Sequence, residues 1–192
     1  MEKVNESIIC AGFGGQGIVL LGKVLATAGM ARGLHVTWIP SYGAEVRGGT
    51  AFSMVRISDT PIASPIFRNA DTAIIMNDPS LEKFESKIKK GALLILNSSM
   101  VKRAVTRKDI EVISVPLTDE AIRLGNGRIA NMIACGIFIA KKKIFGKEVL
   151  VKVINEMAAD RKELVDINVR AVERGMELAN TAHGSVRGTK KE

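Results

Sequence analysis

The 192-residue chain contains two cysteines, two histidines, one tryptophan and one tyrosine, and each scarcity excludes a class of chemistry. Cys10 and Cys135 sit in apolar runs and no Cys-x-x-Cys occurs, so the chain alone offers no ligand set for an iron–sulfur cluster or a structural zinc. His35 and His183 stand apart from any metal-ligand cluster. Neither can be matched with a nucleophile and an orienting carboxylate. No apolar run approaches the roughly 20 residues of a membrane span. The polar opening Met1-Glu2-Lys3-Val4-Asn5-Glu6 lacks the zones of a secretion signal, so a cytoplasmic location and buried, reduced cysteines are expected. Aromatics make up only 4% and basic residues are scattered, which argues against nucleic acid as a partner. The formal charge of +8 suits a polyanionic cofactor or an acidic protein instead. With 46% hydrophobic and 25% charged residues, one globular domain over residues 1–192 is expected, ending in a disordered basic tail at 184–192.

Near the N-terminus stands the run Ser7-Ile8-Ile9-Cys10-Ala11-Gly12-Phe13-Gly14-Gly15-Gln16-Gly17-Ile18-Val19-Leu20. It reads as a strand, a glycine loop and a helix start. Gly12, Gly14 and Gly17 have Gly-x-Gly-x-x-Gly spacing, and Gly15 adds a fourth glycine. Gly12 would make the tight exit from the strand, Gly14 would admit a phosphate close to the backbone, and Gly17 would let the helix pack near the strand. Helix N–H groups behind the loop favour an anion. The competing reading is a glycine turn that only packs a helix on a sheet. Gly17 precedes Ile18 rather than Lys and Ser or Thr, which excludes a Walker loop.

The helix presents Ile18, Leu21, Leu25 and Ala28 on one face and ends at Arg32 and Gly33. The strand His35–Pro40 then completes a β-α-β unit, for which a parallel pair is expected. A nicotinamide site needs an acid at the end of that second strand. Here the strand ends Ile39-Pro40-Ser41-Tyr42, and Glu45 lies further out. The following loop, Ser41-Tyr42-Gly43-Ala44-Glu45-Val46-Arg47-Gly48-Gly49-Thr50, gathers polar side chains and glycines at the carboxyl end of a strand, where open α/β sheets bind ligands. Arg47 with Gly48 and Gly49 could hold an anion, or Glu45 and Arg47 could be solvated in a connector.

Residues 51–58 alternate as a strand, and Pro61–Phe67 is expected to return as an edge strand. Thr72–Asn77, Leu93–Asn97 and Glu111–Pro116 read as buried strands. Asp78 is expected to cap a helix with Leu81, Phe84 and Ile88 on one face and Gly91 at its end, and Thr118 to cap a short one. Asn77 and Asn97 fall at strand ends on the ligand edge, able to bond either a ligand or loop backbone. Arg128–Lys143 is an apolar helix dense in small residues, fit for close contact with another helix of this chain or of a partner. Val149, Val153, Ile154 and Met157 mark one further helix, and Leu164, Ile167, Ala171, Gly175 and Leu178 the last. The expected fold is α/β: a Rossmann-like, mostly parallel sheet flanked by helices, with an antiparallel edge hairpin. The ligand-shaped edge carries no catalytic set, which points to a subunit or a binding module.

The two glycine-rich motifs together, Ala11–Gly17 and Ser41–Thr50, resemble the gamma subunit of 2-oxoacid:ferredoxin oxidoreductases, nearest the 2-oxoglutarate and branched-chain types. The likeness continues through Ser64-Pro65, Ala70-Asp71, Asn77, Leu124-Gly125-Asn126, Ala130-Asn131-Met132 and Asn168. Ala44 stands where the family often has proline. The resemblance implies a complex that converts a 2-oxoacid to an acyl-coenzyme A and passes electrons to ferredoxin. It implies alpha, beta and delta subunits as partners, with thiamine diphosphate, magnesium and iron–sulfur clusters carried on them. This chain would be inactive alone, with no catalytic residue or metal of its own. It would contribute a coenzyme A contact built from Gly12, Gly14, Gly15, Gly17, Tyr42, Glu45, Arg47, Gly48, Gly49 and Thr50. A free-standing nucleotide-binding module and a purely structural subunit are the alternatives.

Overall fold

The structure, a computed structural model, describes residues 3–42, 50–158 and 162–181. Strand β1 (Asn5–Phe13) is buried from Glu6 to Gly12, as an apolar strand covered on both faces must be. The other strands are β2 (His35–Tyr42), β3 (Thr50–Ser58), β4 (Ala70–Ile75), β5 (Ile88–Asn97) and β6 (Glu111–Val115), and the sheet order is β2-β3-β1-β4-β5-β6. Strands β1, β4, β5 and β6 are parallel, aligning Cys10, Ile74, Ile95 and Ile113 across the sheet. Strand β3 is antiparallel to both β1 and β2, so β2 and β3 form the antiparallel edge pair of a mostly parallel sheet.

Two expectations about that edge are corrected. β1 and β2 are not hydrogen-bonded neighbours, because β3 lies between them. A short connection lets β3 return beside β2 at once, and its alternate residues Ala51, Ser53, Val55 and Ile57 are buried as it pairs with β1. Pro61–Phe67 forms no strand: prolines at 61 and 65 remove ladder donors. Instead Asp59 bonds the Val4 N–H, and Arg56 Nη1 donates to the Ser64 carbonyl at 2.8 Å.

Helix α1 (Ile18–Ala31) buries Ile18, Leu21, Leu25 and Ala28 as its periodicity requires. It ends in a Schellman motif: Gly33, at φ 77°, donates to the Met30 carbonyl, and Leu34 donates to that of Gly29. With α3 (Leu117–Arg123), α4 (Ala130–Lys142), α5 (Lys147–Ala158) and α6 (Lys162–Thr181), α1 covers the face carrying Ile8, Cys10, Val55, Ile74 and Ile95. The opposite face, with Ile9, Ala11, Ile75 and Leu94, packs against Leu81 and Phe84 of α2 (Asp78–Phe84). Among the described residues no helix is long and apolar enough to cross a membrane.

Four helix boundaries differ from expectation. Asn77 caps α2 instead of Asp78, its Oδ1 accepting the Ser80 N–H at 2.9 Å. Pro116 precedes α3, and Thr118 lies inside the first turn, bonded to Asn97. Ile88 belongs to β5, where it pairs with Ala70, so Gly91 lies within that strand at φ 72°. The helix dense in small residues begins at Ala130, after a 3-10 turn at Gly127–Ile129.

The close neighbour of α4 is α6 of the same chain. A Cβ at Gly136 would overlap the Val172 carbonyl oxygen, one at Gly175 would overlap the Ile133 carbonyl oxygen, and each would lie 3.0 Å from the other glycine's Cα. Backbone meets backbone here, and no side chain can yield to make room. Gly175→Ala is expected to lower stability by about 2–3 kcal/mol, read as a lower urea midpoint at unchanged slope.

Candidate functional site

The chain leaves β1 at Phe13 in a turn closed by the Gln16 N–H on the Phe13 carbonyl at 3.2 Å. Gly15 and Gly17 take positive φ, 98° and 71°, and Gly17 is the N-cap of α1. Gln16 fastens the turn through its side chain. Its Oε1 accepts the Phe13 N–H at 2.7 Å, and its Nε2 donates to the Met76 carbonyl at 3.3 Å. The same carbonyl receives Asn97 Nδ2 at 3.4 Å, and that amide also donates to Thr118 Oγ1 at 2.9 Å. A hydrogen-bonded belt therefore runs along the carboxyl edge from the glycine loop past the ends of β4 and β5 to the start of α3. Asn97 spends its bonds on this belt, whereas Asn77 uses only its Oδ1, and its buried Nδ2 has no partner among the described residues.

The four glycines divide into two kinds. A Cβ at Gly12 would lie 2.5 Å from Gln16 Oε1 and 2.9 Å from Met76 Cβ, so packing alone demands a glycine there. One at Gly17 would meet the Asn131 side chain of α4, a correction to the expected helix-to-strand contact. Gly14 and Gly15 have nothing within 4 Å of such an atom among the described residues. Gly15 is accounted for by its backbone angle; Gly14 has neither constraint. Behind the loop, α1 has no side-chain cap and no acidic residue in its first turn. Its leading N–H groups and positive dipole end remain uncompensated by side chains.

Residues 43–49, with Glu45, Arg47, Gly48 and Gly49, lie outside the described residues, but both ends of their loop are placed. Tyr42, the last residue of β2, pairs with Ala51; Ala51 pairs with Gly12, and Thr50 with Phe13. The register sets both ends of the second motif beside the first.

Gln16 and Asn131 are anchors whose roles sequence reasoning missed. Asn131 is 2% exposed, donates Nδ2 to the Gly17 carbonyl at 3.1 Å and accepts the Met132 N–H on Oδ1 at 3.0 Å. Its signal was a lone amide inside an apolar helical run. The cysteines are free and buried in the core, where desolvation pushes both thiol pKa values up, with Cys135 adding to the effect on Cys10.

A glycine turn backed by an uncapped helix, on the carboxyl edge of a mostly parallel sheet, defines a Rossmann-like α/β protein with a candidate anion cradle. Residues 7–178 match the model of the pyruvate ferredoxin/flavodoxin oxidoreductase family, and the chain belongs to that family. It is 31% identical to the 2-oxoglutarate synthase subunit KorC of Methanothermobacter thermautotrophicus, covering 93% of this chain and 97% of that one. It is 32% identical to the ketoisovalerate oxidoreductase subunit VorA of the same organism over 88% of this chain, but spans only 35% of VorA's length. The fold is shared, at a TM-score of 0.87 and 24% identity, with 2-oxoglutarate:ferredoxin oxidoreductase from Magnetococcus marinus, solved with 2-oxoglutarate, coenzyme A and succinyl-CoA bound. That match covers 96% of this chain and 32% of the other.

Asn131→Ala leaves the Gly17 carbonyl and the Met132 N–H without their partner. The expected cost is about 1–2 kcal/mol, seen as a lower thermal midpoint, with faster amide exchange at Ile18 to Leu20 than elsewhere in α1.

Proposed function

We propose that the chain is the gamma-type component of an enzyme that oxidatively decarboxylates a 2-oxoacid. In that reaction the substrate loses carbon dioxide, the acyl group passes to the thiol of coenzyme A, and two electrons pass to ferredoxin. The relatives' names support a 2-oxoglutarate or branched-chain substrate, and the bound coenzyme A of the Magnetococcus complex supports the acceptor. Thiamine diphosphate, magnesium and iron–sulfur clusters belong on partner polypeptides, the alpha, beta and delta subunits. A cytoplasmic complex follows from that reading.

In this reading the glycine loop and the Tyr42–Thr50 loop face the partners and receive the phosphates of coenzyme A. Gly14 and Gly15 bring backbone N–H groups near them, the α1 terminus adds its dipole, and Arg47 adds a charge. Tyr42 and Glu45 order the second loop, with Gly48, Gly49 and Thr50 completing its wall. The single observation that carries this is the open space at Gly14. Gly12 and Gly17 have packing reasons within this chain to be glycine, and Gly14 has none among the described residues.

Gly14→Ala meets no neighbour within 4 Å among the described residues, so its folding should match the parent while phosphate approach is hindered. In the reconstituted complex, Gly14→Ala and Arg47→Ala are each expected to raise the KM for coenzyme A about tenfold, a loss of ~1.4 kcal/mol, with kcat at saturation little changed. Steady-state kinetics with a low-potential acceptor reads this out. Unchanged KM and kcat in both variants would leave the structural-subunit reading standing in its place.

A further inference from the structure

At the opposite, amino end of β1 lies a cavity of about 530 Å³ lined by Lys3, Asn5, Glu6, Arg32 and Lys141–Lys143, with Val4 and Ile144. Three separate segments bring the charges together: the lead into β1, the C-cap of α1 at Arg32, and the last turn and C-cap of α4. Five cations face one carboxylate. That carboxylate is already committed, since Glu6 accepts the Thr72 hydroxyl at 2.6 Å and pairs with Lys142 at 2.9 Å. Lys141 pairs with Glu111 at 2.7 Å.

Lys141 and Lys142 stand in the last turn of α4, where compensation of the helix dipole explains them. That account reaches Arg32 and Lys143, at the C-caps of α1 and α4, but not Lys3. Lys3, Arg32 and Lys143 have no side-chain ion pair among the described residues, and Lys3 is not on a helix. Lys143 is also the one non-glycine described residue at positive φ, 52°, a C-cap position where glycine is the unstrained choice. A lysine at that position keeps a cation on the cavity wall at the expense of backbone strain.

We propose that this cleft binds a small polyanion bearing two or more phosphate or carboxylate groups, at a site separate from the glycine loop. The volume falls in the range of small-ligand sites, roughly 300–1,000 Å³, and a ligand with several separated charges can bridge cations from three segments. The nine residues of β1 hold the two ends roughly 27 Å apart at ~3.3 Å per residue. The site therefore stands or falls independently of the coenzyme A reading.

The test is calorimetric titration of the full chain with pyrophosphate, with citrate and with an acidic glutamate peptide, at low and high salt. One equivalent of pyrophosphate or citrate is expected to bind, with the tighter of the two identifying phosphate or carboxylate chemistry, and to weaken as salt rises. Arg32→Ser and Lys143→Gly are each expected to weaken it at least tenfold, and Gly14→Ala to leave it unchanged. Lys143→Gly relieves the left-handed backbone, so its thermal midpoint should stay at or above the parent's and its loss of binding cannot be a folding defect. The proposal is overturned if neither small anion binds, if only the peptide binds, or if the two cleft variants bind as the parent does. It is equally overturned if Gly14→Ala alone abolishes the signal.

Discussion

The site depends on how closely α4 lies against α6. Gly136 and Gly175 let the two backbones touch, and that contact fixes the position of α4. Helix α4 in turn carries Asn131, whose amide holds the Gly17 carbonyl and so the first turn of α1. A methyl group at the crossing would displace α4, and the displacement would be felt at the glycine loop a helix turn beyond. Close packing transmits such shifts because a dense interior has no slack to absorb them.

Hydrogen bonding at the carboxyl edge complements that packing. Gln16 and Asn97 share one carbonyl, that of Met76, and Asn97 in turn holds Thr118, so the ends of the inner strands and the start of α3 form one rigid rim. Buried amides of this kind are retained because each bond left unmade would cost more than the bond itself contributes. The consequence for function is selective. Most polar groups along the rim are spent on structure; what remains unspent among the described residues is the space at Gly14, the leading N–H groups of α1 and the buried Asn77 Nδ2. On the reading proposed above, that backbone receives phosphates while the reacting groups lie on other polypeptides.

Much of the fold was legible in the residues. The apolar runs of β1, β4 and β5 announced buried parallel strands, and the period of Ile18, Leu21, Leu25 and Ala28 announced the buried face of α1. Gly33 announced how that helix ends. The errors cluster where local preference competes with a distant partner. Thr118 is a good capping residue, but Asn97, 21 residues earlier, takes both its N–H and its hydroxyl. Ile88 fits a helical face, but Ala70 offers it a strand partner.

By itself the sequence determined the α/β class, the glycine turn and the two motifs that mark the family, because these follow from side-chain period and backbone freedom within a few residues. Tertiary structure decided which strand lies beside β1: the local β-α-β pattern pointed to β2, but β3 returns to pair there. It also decided which glycines serve packing and which leave space, because that turns on Met76 and Asn131, residues 64 and 114 positions from Gly12 and Gly17 in the chain. The gathering of Lys3, Arg32 and Lys143 around one cavity was likewise invisible in the chain, where they are scattered cations, until β1, α1 and α4 brought them together.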